Sequence, residues 1–223
     1  MKPKQSRLTG SGWLLRMTPL LITYAVVIFA GVYAFAELAT DVYQGESFQF
    51  DHMLLNFAAE QRLDLLDQFF LRVTRLGSFN LLAPIAVVII IVLLWRRQGS
   101  VAILFGVGFG GASLISVTTK YVLARQRPQL FPHLVDATLA PAFPSGHTTQ
   151  ITAFCIAAFL MVHYLAPKWQ LFTGVLFGVI ILLVAISRIY LQVHYPSDVL
   201  AGFVLGLSWV AGIDLLLKLN SLE

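Results

Sequence analysis

The sequence predicts an all-α fold: a bundle of six transmembrane helices with an amphipathic interfacial segment between the first and the second. Three observations carry that expectation. Hydrophobic residues make up 58% of the chain and charged residues only 12%. Mean hydropathy is +0.80. The apolar residues are gathered into runs long enough, or nearly so, to cross a bilayer, which no solvated globular domain requires.

The first run covers 17–36 and follows Lys2, Lys4, Arg7 and Arg16. This basic start, with Ala34, Phe35 and Ala36 at the end of the run, imitates a cleaved secretion signal. The apolar part of such a signal is about 7–15 residues long, and this run is longer, so a retained membrane anchor is expected. An acidic loop follows, carrying Glu37, Asp41, Glu46, Asp51, Glu60, Asp64 and Asp67.

Within that loop, 61–79 places Leu63, Leu66, Phe70 and Val73 at helical spacing, with Asp64, Gln68, Arg72 and Arg75 on the other side. This predicts an amphipathic helix at the outer interface, which equally suits a cap on the bundle. The remaining spans are 81–95, 101–123, 148–165, 171–186 and 199–217, the second and fifth helices being short. No internal repeat or soluble segment is visible, so residues 1–223 are expected to form a single membrane domain.

Basic residues near helix ends are retained on the cytoplasmic side. With six crossings the N-terminal cluster, Arg96 and Arg97, Lys168 and Lys218 all fall on one face. Both termini are therefore expected in the cytoplasm. Lys120, Arg125, Arg127 and Arg188 fall on the opposite face and break the pattern, which asks for a reason. A pI near 9.4 does not point to nucleic acid, because the basic residues sit at membrane boundaries and form no soluble basic domain. Cys155 is the lone cysteine, which leaves no intrachain disulfide and no thiolate metal site.

The glycine-rich stretch 106–111 lacks the lysine and hydroxyl residue of a phosphate-binding loop. The pairs Gly106 and Gly110, Gly174 and Gly178, and Gly202 and Gly206 read as small-xxx-small contacts, with the third, fifth and sixth helices forming the tight core. Asp214 and Lys218 read as an i, i+4 pair. Arg125 reads as a loop or lipid-headgroup contact, and Ser187 equally as a ligand or as a helix-capping or packing residue. His52, His133 and His163 have no evident partners.

Three polar clusters remain: KYVLARQRP at 120–128, PSGH at 144–147 and SRIYLQVHYPSD at 187–198. They lie at the ends of the third and fifth helices and the starts of the fourth and sixth. Alternating helix direction brings all of them to one membrane face. Lys120, Arg127 and Arg188 suit a phosphate, the arginines as bidentate donors and the lysine as a point charge. Ser145, Gly146 and the first amides of the next helix add backbone donors at a positive dipole end. His194 with Asp198 four residues on suits a neutral imidazole held in one tautomer for attack on phosphorus. His147 suits the acid that protonates the leaving oxygen, and the cations stabilise charge on the equatorial oxygens.

Lys-x6-Arg-Pro, Pro-Ser-Gly-His and Ser-Arg-x5-His-x3-Asp, in this order, resemble the signature of the type-2 phosphatidic acid phosphatase family. The resemblance implies a metal-independent lipid phosphatase without a cofactor. Lys120, Arg127, Arg188, Ser145 and Gly146 would then bind phosphate, His194 would form a phosphohistidine beside Asp198, and His147 would be the acid. The family shares its site with vanadium-dependent haloperoxidases, so vanadate should mimic pentacoordinate phosphorus.

The function expected is hydrolysis of a phosphate or diphosphate monoester on a lipid headgroup, with undecaprenyl diphosphate and phosphatidylglycerophosphate the first candidates and phosphatidic acid a further one. The partners expected are that lipid phosphate and membrane lipids. A bacterial cytoplasmic membrane is expected, with the site facing the periplasm. A phosphotransferase acting on lipid A or another acceptor lipid would carry the same residues. A non-catalytic anion transporter fits less well, since the charges collect at helix ends and no inverted repeat or midplane charge pair is present.

Overall fold

The computed structural model describes residues 10–46, 48–135 and 140–220, with side chains from Pro19 onward in the first segment. Lys2, Lys4 and Arg7 lie outside the described residues, as does the side chain of Arg16. The helices are α1 (Gly10–Tyr43), α2 (Gln49–Glu60), α3 (Asp64–Val73), α4 (Phe79–Trp95), α5 (Gly99–Leu123), α6 (Gly146–Leu165), α7 (Gln170–Tyr190) and α8 (Pro196–Asn220). Short 3-10 turns at Thr74–Gly77 and Pro167–Trp169 precede α4 and α7. Among the described residues there is no strand.

Five helices are long and apolar enough to cross a membrane, and α3 with its 3-10 turn and α4 form a sixth, broken candidate bent by 41°. A helix rises about 1.5 Å per residue, so the 17 residues of α4 fall short of a hydrocarbon core of about 30 Å. The fifth crossing is not short, because α7 runs for 21 residues. Hydropathy falls off at Gln170 and Ser187 before the backbone stops being helical.

For the same reason α1 continues through Glu37 and Asp41, which are helical and not in a loop. The chain leaves it through Gly45, at φ 77°. The amphipathic expectation at 61–79 corresponds to α3 and its 3-10 turn. Leu66, Phe70 and Leu71 pack on Tyr190, Leu191 and Val193, and Val73 enters the main core, while Leu63, Leu65 and Phe69 stay exposed. The segment both caps the bundle and offers an apolar edge.

Helix α2 was not foreseen. Asp51, Leu55 and Ala58 are its buried residues, a stripe at i, i+4 and i+7 that puts a carboxylate on the inward face.

The core lies among α4 to α8, around Phe105, Phe109, Ile151, Val184 and Val210. α6 is central, packed on α5, α7 and α8, and α1 lies against α8. Of the three glycine pairs only Gly202 and Gly206 make a close approach. A Cβ on Gly202 would come within 2.7 Å of Ser145 O, and one on Gly206 within 2.9 Å of Thr149 O. Gly110 and Gly178 face open space, and Gly106 and Gly174 meet only side chains. The tight contact is therefore between α6 and α8, and the periodicity of glycine did not say which face of a helix would meet a neighbour.

At the end remote from the polar motifs, Asp214 and Lys218 pair at 2.8 Å. Tyr24 and Tyr164 donate to Asp214 as well, which ties α1 and α6 to α8.

Candidate active site

The C-terminal ends of α5 and α7 converge with the N-terminal ends of α6 and α8. α5 stops at Lys120–Leu123 because Ala124 takes the left-handed conformation, φ 48°, closing the helix with its amide on Lys120 O. The chain then folds back over the helix ends. Lys120 Nζ donates to Pro141 O at 2.9 Å and Ala142 O at 3.0 Å. Arg127 Nε donates to Ala140 O at 3.1 Å and Nη1 to Val193 O at 2.7 Å. Carbonyl groups thus anchor both cations.

After a cis Phe143–Pro144 peptide, Ser145 caps α6. Its hydroxyl accepts from Thr148 N and from Thr148 Oγ1, and its amide donates to Asp198 O at 2.9 Å. Gly146 and His147 open the helix. A Cβ on Gly146 would lie 3.5 Å from Lys120 Cε, so this backbone is bare on the side that faces the lysine.

α7 delivers Arg188, buried, with Nη1 donating to Thr74 Oγ1 at 2.5 Å. Its Nε has no partner among the described residues. Ser187 Oγ donates to Val184 O and is fully buried, which favours packing over ligation. Gln192 takes φ 61°, a left-handed turn that carries the chain from α7 to His194.

Thr74, Lys120, Arg127, Gly146, His147, Arg188 and His194 line one cavity of about 320 Å³. The structure therefore brings together three cations, two imidazoles and the first residue of α6. Ser145 differs in position from the other expected phosphate ligands: it is fully buried and does not line the cavity, its amide donates to Asp198 O, and its hydroxyl oxygen accepts from Thr148. Asp198 also sits behind the cavity wall, at the back of His194.

Arginine carries donors only, so the 3.3 Å contact of Arg127 Nη1 with His194 Nε2 makes Nε2 the acceptor. The ring proton then belongs on Nδ1, 3.3 Å from Asp198 Oδ2. Burial first, and then the positive charge of Lys120, Arg188, Arg127 and His147, hold the His194 pKa well below the ordinary histidine range. The imidazole is neutral at pH 7, with a lone pair on the atom that lies among the cations.

Sequence reasoning missed Asp51, Arg125 and Thr74. Arg125 is not a free headgroup contact. Its Nη1 lies 2.6 Å from Asp198 Oδ1 and 2.7 Å from Ser197 Oγ, its Nη2 lies 3.0 Å from Asp51 Oδ2, and its guanidinium stacks 4.1 Å over the Tyr195 ring. Asp51 also accepts from Ser197 N at 2.8 Å and Ser197 Oγ at 2.6 Å. The available signal was the stripe Asp51, Leu55, Ala58, which marks an acid on a buried helix face.

Residues 101–219 match the PAP2 superfamily. The chain is 32% identical to phosphatidylglycerophosphatase B of Bacillus subtilis over 78% of its own length and 86% of that protein. It is 31% identical to an undecaprenyl-diphosphatase of Sulfolobus acidocaldarius, over 54% of this chain and 57% of the relative. The crystal structure of a transmembrane PAP2-type phosphatidylglycerolphosphate phosphatase from Bacillus subtilis superposes with a TM-score of 0.71 at 28% identity, covering 89% of this chain and 95% of that one. The motifs, the convergence of helix ends and the extent of these matches agree: the chain belongs to the PAP2 superfamily and is a multi-pass membrane lipid phosphatase.

Proposed function

We propose that the protein hydrolyses a terminal phosphate from a lipid phosphate or diphosphate through a phosphohistidine on His194. The observation that carries this reading is the tautomer of His194, with Nδ1–H toward Asp198 and the Nε2 lone pair beside Arg127 in the cationic cavity. Lys120, Arg127, Arg188 and the Gly146 amide hold the phosphate oxygens, and Ser145 serves by shaping the turn that presents that amide.

In the first step His194 Nε2 forms a bond to phosphorus, the bond from phosphorus to the lipid oxygen breaks, and His147 gives that oxygen its proton. His147 acquires this proton with the phosphate dianion bound among the cations. In the second step His147 takes a proton from water, the water oxygen attacks phosphorus, the P–N bond breaks, and inorganic phosphate leaves. Asp198 stabilises the imidazolium charge that develops on His194 between the steps.

Phosphatidylglycerophosphate and undecaprenyl diphosphate are the substrates favoured, since two relatives are a phosphatidylglycerophosphatase and an undecaprenyl-diphosphatase. Residues 1–223 act as one membrane domain in a bacterial cytoplasmic membrane, with both termini in the cytoplasm and the cavity facing the periplasm. Arg96, Arg97, Lys168 and Lys218, at helix ends remote from the cavity, support that orientation. Purified protein in nanodiscs, given a panel of labelled lipid phosphates, should release inorganic phosphate, and His194→Ala should abolish release. Undiminished release by that variant refutes the mechanism. Label that ends on an acceptor lipid instead of water identifies a phosphotransferase.

A further inference from the structure

We propose that Asp51 and Arg125 are positioning residues for the reaction: with Ser197 they clamp one oxygen of Asp198, so that the other alone is presented to His194. The inference rests on the reading of His194 as nucleophile and adds an outer layer to it. Asp198 is fully buried, and its two oxygens are used differently. Oδ1 takes Arg125 Nη1 at 2.6 Å, while Oδ2 takes Tyr195 N at 2.9 Å and faces His194 Nδ1 at 3.3 Å. Without the arginine the carboxylate would be held by Tyr195 N alone, leaving Oδ1 without a partner in the dry interior, where rotation or uptake of a proton would loosen its hold on the imidazole.

Arg125 is in turn aimed by a second buried acid. Asp51, on α2, holds Nη2 through Oδ2 and pins the start of α8 through Ser197 N and Oγ. The order is thus Asp51, Arg125, Asp198, His194, running from the outer helix α2 to the cavity. The far side of Arg125 borders a separate cavity of about 450 Å³ lined by Glu46, Asp51, His52, Gln126 and Tyr195. Neither Asp51 nor Arg125 lines the phosphate cavity, so they act through Asp198 and not on substrate.

The charged and titratable groups around Asp198 and His194 are Asp51 and His52 from α2, Lys120 from α5, Arg125 and Arg127 from the following segment, His147 from α6, Arg188 from α7 and Tyr195 beside them. Removing Arg125 deletes one positive charge from this set and leaves two acids, so proton affinity rises at both Asp198 and His194. Rescue by Arg125→Lys separates this role from a merely structural one, in which either substitution would loosen the packing alike.

The test uses the full chain in nanodiscs with phosphatidylglycerophosphate and, separately, undecaprenyl diphosphate. Arg125→Gln should lose about 10- to 100-fold in kcat, the range for partners that orient a first-layer group, with KM changed less than threefold and the acid limb of the kcat profile moved to higher pH. Arg125→Lys, which keeps the charge but cannot span both acids, should retain an intermediate kcat and an acid limb near that of the parent protein.

The proposal is overturned by a kcat within threefold of the parent in Arg125→Gln, or by equal losses in the Gln and Lys variants with unmoved acid limbs. If Arg125→Gln does not purify folded, Arg125→Lys and Ser197→Ala decide: lowered kcat at constant KM supports the clamp, and parental kcat in both overturns it. His194→Ala runs alongside. Activity surviving there refutes the nucleophile itself, whereas its loss together with a parental Arg125→Gln refutes only the clamp.

Discussion

The carbonyl oxygen of Ser145 lies 2.7 Å from the point where a Cβ on Gly202 would sit, with Thr149 Oγ1 and N at 3.0 and 3.1 Å. This close approach seats the PSGH turn on α8, and α8 carries Asp198 from the same end. Gly202→Ala should push the two helices apart at the PSGH turn. Overpacking of this kind costs about 1–3 kcal/mol, read as a lowered thermal midpoint in detergent, together with a loss of phosphate release. Gly178→Ala, where nothing lies within 4 Å, should match the parent protein in both measurements.

Asp198→Asn should keep the shape of the site and lose its chemistry. An amide in place of Oδ2 no longer holds the proton on Nδ1 or stabilises imidazolium charge. By analogy with the same change in a catalytic triad, kcat should fall on the order of 10³- to 10⁴-fold. Vanadate should still inhibit the residual activity, because the cations that line the cavity are untouched. Loss of vanadate binding in step with kcat would assign Asp198 to substrate binding instead.

The pH dependence follows from the lowered pKa of His194. The buried imidazole stays neutral as pH falls through the ordinary histidine value of about 6.5, so the acid limb of kcat/KM should lie below that value. On the proposed scheme His147 is protonated only in the phosphate complex, so its alkaline limb should appear in kcat and complete a bell there. Stability carries the opposite signature. The unfolded chain binds a proton at this residue below about 6.5 and the folded chain does not, so stability is full above that pH and declines below it. The His194 contribution is read by difference: the change of thermal midpoint between pH 7 and 5 should differ between the parent and His194→Ala, and an identical pH dependence in the two would contradict a neutral buried His194.

Asp214 tests the other end of the bundle. It is buried and holds Lys218, Tyr24 and Tyr164 together. Asp214→Ala removes the acceptor of two tyrosine hydroxyls and the carboxylate partner of Lys218, which keeps Tyr24 Oη, and breaking such a partly buried pair costs about 3 kcal/mol. The thermal midpoint should drop, and phosphate release per folded molecule should stay at the parental value, since the cavity lies at the far end of the helices.

The six apolar runs and the three polar motifs were legible because each rests on local rules. A bilayer sets a length for apolar stretches, and a phosphate sets a demand for arginine, lysine and a helix start. Alternating helix direction was enough to place Lys120, His147, Arg188 and His194 on one face. Helix ends were less legible. Glu37 and Asp41 extend α1 beyond its apolar run, because hydropathy reports the solvent and not the backbone hydrogen bonds.

Asp51 and Arg125 show where reading along the chain stops. Each is an ordinary charged residue in a polar stretch, 74 positions apart, and no spacing rule links them. Only the packing of α2 against the start of α8 buries both and sets them around Asp198. The glycine pairs make the same point: the pattern was present in α5, α7 and α8, but which pair met a neighbour depended on how α6 was seated. By itself the sequence determined the class, the membrane crossings and the chemical inventory of the site, since these follow from composition and short-range periodicity. The tertiary structure decided the tautomer of His194, the seating of Ser145 against Asp198 and the ion pairs that join Asp51, Arg125 and Asp198, because each depends on contacts between residues distant in the chain.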